Sequence, residues 1–398
     1  MAGWQSGYAA ACKAVDAGSI PASASITNKL DTLDTHSLVI GGGIIGLAIA
    51  RELSKTSSET ILIEKNARIA EETSARNSGV IHAGFYYPVN SYKSLFCNQG
   101  NKLIYKYCEK NSIFHRKVGK IVVGQDKDYK LFKQFQDNAI KVGGKPLQLL
   151  NSSEIQELEP LINSKIGLFS PETGIVDVHG LCNAYCSDLL ENNGLISLQT
   201  EIKKVHYKNN KFHCILRDAI QEYKIISEIL IISMGLHSPT IKNIFSDLNS
   251  EYIFDLNLTK GHYYKYSQKN PFKHLIYPVP DELGLGIHST IDIDNSVRFG
   301  PDSVEVKMLN YNFEEGVKEK FYKKIKKYFP SIKIEDLSED FVGIRPKILS
   351  TNKNYDFSIL FENQHGIRNF AILQGIESPG ITSSLAIGKY VFNKLNLV

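Results

Sequence analysis

From residue 36 onward the chain alternates short apolar runs with longer stretches whose apolar positions recur at helical spacing. His36-Ser37-Leu38-Val39-Ile40 reads as a strand entering Gly41-Gly42-Gly43-Ile44-Ile45-Gly46, and Leu47-Ala48-Ile49-Ala50-Arg51-Glu52-Leu53 continues as a helix. Thr60-Ile61-Leu62-Ile63-Glu64-Lys65 is a second strand and completes a β-α-β unit. Strand runs at Ile121-Val122-Val123 and Ile229-Leu230-Ile231-Ile232 are set among helical stretches at 91–111, 127–142, 179–193 and 314–328. The mixture predicts an α/β or α+β fold. In the lysine-rich helix over 317–329, Phe321, Ile325 and Phe329 fall on one face, so it reads as a core-facing helix with solvated lysines rather than a membrane or nucleic-acid surface.

The length of 398 residues suggests two or three domains with apolar material enough for a core. Basic and acidic residues number 46 and 42, a balance of +4 that argues against nucleic acid as a partner. Eight of the basic residues are arginine and 46 − 8 = 38 are lysine, so an arginine inside a motif stands out. The six cysteines include no CxxC pair, and Cys182 with Cys186 lacks the further ligands of a zinc site; no metal is expected, and the thiols read as reduced and buried. No run of 18 apolar residues occurs, which excludes a spanning helix and points to a cytoplasmic protein, with peripheral contact at the inner membrane as the other placement. Met1 to His36 lacks the basic and leucine-rich regions of a secretory signal and reads as a disordered or artefactual extension, the translated remnant of a transfer-RNA gene.

A GxGxxG pattern is weak evidence alone. Here a strand precedes it, a helix follows, and an acid, Glu64, ends the next strand 21 residues after Gly43. Gly41 permits the tight turn, Gly43 lets a pyrophosphate approach the helix N-terminus, and Gly46 allows close packing of helix on strand. Glu64 is suited to a ribose. The loop Thr73-Ser74-Ala75-Arg76-Asn77-Ser78-Gly79-Val80-Ile81-His82-Ala83-Gly84 offers small residues, hydroxyls and an arginine to a second part of a long cofactor, which favours FAD over NAD.

These blocks resemble the FAD-dependent oxidoreductases of the D-amino-acid oxidase and glycerol-3-phosphate dehydrogenase type, and within them the L-2-hydroxyglutarate dehydrogenase/oxidase branch. The resemblance rests on GGGIIGLAIAREL, ARNSGVIHAGFYYP (75–88), KSLFCNQGNKLIYKYC (93–108), GIVDVHGL (174–181), IYPVPDELGLGIHST (276–290), RFGPD (298–302), GIRPK (343–347) and GIESPGITSSLAIG (375–388). It implies a Rossmann-like FAD-binding domain over 37–115, 170–250 and 341–398, interleaved with a substrate domain on a mostly antiparallel sheet over 116–169 and 251–340. It also implies that Gly41, Gly43 and Gly46 hold the pyrophosphate, that Glu64 and Lys65 stand at the ribose, and that Thr73, Ser74, Arg76, Asn77 and Ser78 line the path to the flavin. Val205 would frame the adenine, and Gly235 belongs to a Ser233-Met234-Gly235 turn that would contact the cofactor. Gly375, Gly380, Ile381 and Thr382 would meet the pyrimidine end with backbone N–H groups.

Oxidising a 2-hydroxy acid needs a carboxylate anchor, a base and a hydride acceptor, the last being flavin N5. Arg345 fits the anchor, since a planar guanidinium matches a carboxylate. His82 and His288 are equal candidates for the base, with His262 a pocket-tuning residue. Lys260, Lys347, Tyr277 and Thr290 are candidates for the second anchor of a dicarboxylate. The electron acceptor is oxygen or a membrane quinone. Two other readings stay open: a flavin amine or amino-acid oxidase using the same arginine, and a non-catalytic flavoprotein or tRNA-modifying partner.

Overall fold

The computed structural model describes residues 32–57, 59–279, 286–349 and 356–395. The stretch from Met1 to residue 31 and the Gly284-Leu285 part of the strand expected before His288 lie outside the described residues. Residues 32–36, expected to fall outside the fold, are inside it: the first strand is Thr32–Ile40, and Thr32 is already paired with Lys224. A polar segment joins a sheet here because its neighbour, Glu222–Ile232, is long enough to pair with its whole length.

Two large sheets organise the molecule. In the first, Thr32–Ile40 lies between Glu222–Ile232 and Thr60–Ile63, all parallel; Leu195–Ser197 extends it on one side, and Phe370–Gln374 also runs parallel beside Glu222–Ile232. Such strands are covered on both faces and so read as unbroken apolar runs. Thr60–Ile63 is buried at every position. The helices Ile44–Leu53, Tyr92–Lys110, Val178–Glu191 and Gly380–Lys394 supply one cover, meeting the sheet through Val39, Leu47, Ile104, Tyr185 and Ile387.

The second sheet runs in the order Val304–Val306, Leu256–Tyr266, Val297–Phe299, Ser289–Ile291, Leu275–Pro278, Lys120–Gly124, Ile166–Ser170, Gln148–Asn151. Its pairs are antiparallel except Leu275–Pro278 with Lys120–Gly124. The lysine-rich helix, Val317–Ile325, covers one face with Phe321 and Ile325 against Tyr264 and Phe329. The strand Leu337–Ile348 pairs with Leu256–Tyr266, so the segment 341–348, assigned from the sequence to the FAD-binding part, belongs to this second sheet.

Register decides which side chains share a face. Thr259 is opposite Arg345 and Gly261 opposite Gly343. Directly paired residues point to the same side and alternate along the strand, so Arg345 and Thr259 face one way and Lys260, His262 and Ile344 the other.

Candidate active site

A cavity of about 1270 Å³ runs from the Gly41 turn to Arg345, between the two sheets. Pockets that bury a drug-sized ligand run to about 300–1,000 Å³, so this one has room for more than a small acid.

At its nucleotide end the backbone itself makes the cradle. Gly41 has φ +107°, and a Cβ there would lie 2.2 Å from the Ser233 carbonyl oxygen. A Cβ at Gly46 would lie 1.9 Å from the Gly41 carbonyl oxygen, which fixes the contact of helix and turn. Gly43 stands at the N-cap of the Ile44–Leu53 helix and brings no side chain of its own over the helix end. Ser74 Oγ accepts from Ile44 N at 3.0 Å and ties the second loop to this end. The Glu64 carboxylate accepts from Gly42 N at 2.7 Å and from Asn66 N at 2.8 Å, and burial holds its pKa above the usual range despite those bonds. Beside it Lys65 pairs with Glu72 at 2.7 Å, and Glu72 also meets His237 at 3.0 Å. Burial works against the charged form of Glu72, but the His237 and Lys65 contacts outweigh it and bring the carboxyl down to about 2.

The loop from Thr73 carries the wall onward. Arg76 lies 4.4 Å over the Tyr311 ring and donates to the Val342 carbonyl at 3.2 Å, binding this loop to the second sheet. Gly343 lets it approach, since a Cβ there would lie 2.5 Å from the Arg76 carbonyl oxygen. Asn77 donates to the Ser74 carbonyl at 2.7 Å, and Ser78 meets the Tyr263 hydroxyl at 3.2 Å.

At the far end stand His82, Tyr277, His288 and Arg345, with Lys93, Lys347 and Glu377. The His82 backbone is fixed on both sides, its N–H donating to Thr382 Oγ1 at 3.0 Å and its carbonyl accepting from Asn101 at 2.9 Å. Its Nε2 is 3.3 Å from Ser378 Oγ. Enclosure, and secondly the charge of Lys120, lower its pKa to about 3, so the ring is neutral in ordinary buffers. The Arg345 guanidinium is held edgewise by the carbonyls of Thr259, Lys260 and Asp302. Lys93 and Glu377 form a buried pair at 2.7 Å.

Of the residues singled out from the sequence, six do not line this cavity. Lys260 faces away from Arg345 by strand alternation, and its ammonium is bound to Glu314 and the Asn312 carbonyl. His262, on the same face, bonds Asp302 at 2.9 Å. Thr290 is buried in the sheet, opposite Arg298. Val205 is turned into a core with Phe212 and Phe245, after a register shift between Ile202 and Lys204; Thr200, Glu201 and Ile202 line the cavity in its place. Gly46 packs beneath the turn, and Thr382 is buried, its hydroxyl serving His82 and the Val80 carbonyl. The Gly380 N–H, expected to face the flavin, is taken by the Glu377 carbonyl at 2.6 Å. Sequence reading assigned nothing to Lys93, Glu377 or Lys120, although each stands in a legible block or strand.

A glycine-built turn at a helix start, an acid on the next strand and a second loop bound across to another sheet define a dinucleotide-dependent oxidoreductase. The family is more specific: the chain belongs to the DAO family of FAD-dependent oxidoreductases, whose model matches residues 36–393. A mitochondrial L-2-hydroxyglutarate dehydrogenase of Arabidopsis thaliana is 33% identical over 400 residues, covering 90% of this chain and 82% of that protein. Among solved structures, the L-alpha-glycerophosphate oxidase of Mycoplasma pneumoniae with FAD bound has a TM-score of 0.83 at 22% identity, covering 92% of this chain and 95% of that one. The glycine oxidase of Geobacillus kaustophilus has a TM-score of 0.76 at 16% identity, covering 91% and 95%. At these identities the two structures speak for the fold alone. The cavity fits FAD: the cradle at Gly41 and Gly43 is open where a pyrophosphate would lie, and the wall continues without a break to His82.

Proposed function

We propose that this enzyme oxidises an L-2-hydroxy acid, L-2-hydroxyglutarate before others, to the 2-oxo acid. The observation that carries the reading is a neutral imidazole, His82, and a pre-set guanidinium, Arg345, on the wall of one cavity. The name of the Arabidopsis relative supports the substrate.

Bound FAD would supply the acceptor for the hydride that leaves Cα. Gly41, Gly43, Glu64 and the Thr73–Ser78 segment would hold it. Arg345 would bind the C1 carboxylate, its plane already set by three carbonyl oxygens. His82 would take the hydroxyl proton as the hydride departs, and loss of the positive charge from Lys120 or of the enclosure around the ring would be needed to raise its basicity toward the working pH. Of the two histidines, His82 is favoured because both its backbone groups are anchored beside the C-terminal loop, whereas His288 is laid against Tyr277.

The test is anaerobic reduction of the holoenzyme's flavin by a panel of L- and D-2-hydroxyglutarate, L-lactate, glycine and L-proline. Bleaching by L-2-hydroxyglutarate ahead of the others is expected. Reduction by an amino acid and by no hydroxy acid would replace this reading with an amine oxidase. Oxygen and a membrane quinone are the two acceptors consistent with it, separated by whether air or a soluble quinone reoxidises the flavin at the turnover rate. Among the described residues no helix is long and apolar enough to cross a membrane, so a quinone would be met at the membrane surface.

A further inference from the structure

Lys120 opens the Lys120–Gly124 strand and is 1% exposed. Its ammonium nitrogen lies 4.6, 4.5 and 4.7 Å from the ring centroids of Phe85, Tyr86 and Tyr277. Among the described residues no carboxylate is set against it. Aromatic faces attract a cation but supply no counter-charge, so a buried ammonium in such a cage is short of an anion. Burial accordingly brings its pKa down to about 7.

The cage adjoins the substrate end. Tyr277 belongs to both the cage and the cavity wall, and the charge of Lys120 reaches His82. The other cations nearby already have acids: Glu377 neutralises Lys93 and Glu314 neutralises Lys260. Lys347 also lines the cavity; burial, with the charges of Arg345 and Lys93, lowers its pKa against the pull of Glu377 and Glu305, but it is only half-buried, whereas Lys120 is enclosed. Arg345 is allotted to C1. A dianionic substrate brings one more negative charge than Arg345 can meet, and Lys120 is the buried cation in need of one.

We propose that Lys120 is the counter-charge for the second carboxylate of the substrate, and hence the residue by which the site separates 2-hydroxy dicarboxylates from 2-hydroxy monocarboxylates. This rests on the 2-hydroxy acid reading above. The carboxylate sits at the wall formed by Tyr277 and His82; Lys120 is not part of that wall, and its charge acts across the Tyr277 ring. A bound anion there holds Lys120 protonated, so affinity for a dicarboxylate declines as pH rises above about 7 in the free enzyme.

The experiment compares wild-type, K120M and K120R holoenzymes in two ways. The first is titration with glutarate, a dicarboxylate that cannot be oxidised, followed by the flavin absorption shift between pH 6 and 9. The second is kcat/KM for L-2-hydroxyglutarate against L-2-hydroxypentanoate, which lacks the second carboxylate. K120M should lose roughly tenfold on the dicarboxylate, the size of a charge interaction acting across the Tyr277 ring, and keep the monocarboxylate within about threefold. Its glutarate affinity should become flat with pH, and K120R should recover part of the preference. Methionine fits an apolar cage, so flavin content and Tm should not fall. Dicarboxylate preference retained in K120M, or equal loss on both acids, would overturn the proposal. If wild type oxidises neither acid, the function above is what fails, and the pH dependence of glutarate binding still decides for or against Lys120.

Discussion

The imidazole of His288 lies flat on the ring of Tyr277, with 3.5 Å between centroids and 13° between planes. The strands that carry them are neighbours, Ile276 being paired with Ser289, so the stack is set by register and fixes the angle at which Tyr277 meets the cavity. A stacked pair contributes about 0.5–1.5 kcal/mol beyond burial. H288A should therefore raise KM by roughly 3- to 10-fold with a smaller change in kcat, whereas loss of a base would lower kcat by at least about 100-fold. Steady-state kinetics on H288A and H82Q separate the two roles.

Arg345 should act on substrate and not on cofactor. Replacing it with alanine removes two charge-assisted hydrogen bonds to the carboxylate, each worth about 1.5–3 kcal/mol, so kcat/KM should fall by at least about 100-fold with flavin content unchanged. R345K should recover little, because an ammonium cannot make the three carbonyl contacts that set the Arg345 side chain and still present donors to the carboxylate. Release of FAD from R345A on gel filtration would reassign the residue to the cofactor.

The depressed pKa of His82 has a signed consequence. Its folded-state value, about 3, lies below its ordinary 6.5, so between those limits the unfolded chain binds more protons than the folded one. Stability is thus complete above pH 6.5 and is lost progressively as pH falls toward 3. H82Q should show a shallower decline in Tm from pH 7 to pH 4.5. With wild type, kcat/KM should have no acid limb near pH 6.5; a limb there would mean that the ring is charged in the free enzyme.

Two neighbouring glycines should fail differently. At Gly46 a methyl group would strike the Gly41 carbonyl at 1.9 Å, so G46A should unfold or destabilise the apoprotein by several kcal/mol. At Gly43 the nearest atom to a Cβ is Ser74 Oγ at 3.3 Å, so G43A should fold with a Tm close to wild type and lose flavin, the methyl group standing where the pyrophosphate approaches. Thermal melts with and without added FAD distinguish these outcomes.

What the sequence disclosed was chiefly what is local in the chain. The turn at Gly41–Gly46, the helix after it and Glu64 at the end of the next strand form one β-α-β unit, and spacing alone locates them. Lys260 and Arg345 show the limit, because which face a strand residue occupies depends on its register with a partner strand, and Arg345 lies 85 residues from the Lys260 carbonyl it bonds. Val205 was misplaced for a related reason, since a local register shift altered the alternation. Lys120 could not be found at all: a lysine at the start of an apolar strand looks like an edge residue facing water, and what encloses it is the earlier loop carrying Phe85 and Tyr86 together with Tyr277 from a later strand. The charge balance and the scarcity of arginine were legible, yet only the cavity tells Arg345 from Arg298, which is paired to Asp340 and Asp292.

The helix Gly380–Lys394 is pressed so closely on its neighbours that Gly100 and Gly388 have no room for a side chain, facing the Thr382 and Ala48 carbonyls at 2.0 and 2.6 Å from where a Cβ would stand. Both partners, the helices Ile44–Leu53 and Tyr92–Lys110, leave the ribosome long before it does. Through most of translation the nascent chain therefore carries a nucleotide turn with an apolar helix uncovered beside it. The Phe370–Gln374 strand is also still missing from its place beside Glu222–Ile232. Until that helix and strand are in place, a chaperone would find the Ile44–Leu53 and Tyr92–Lys110 helices at their most exposed.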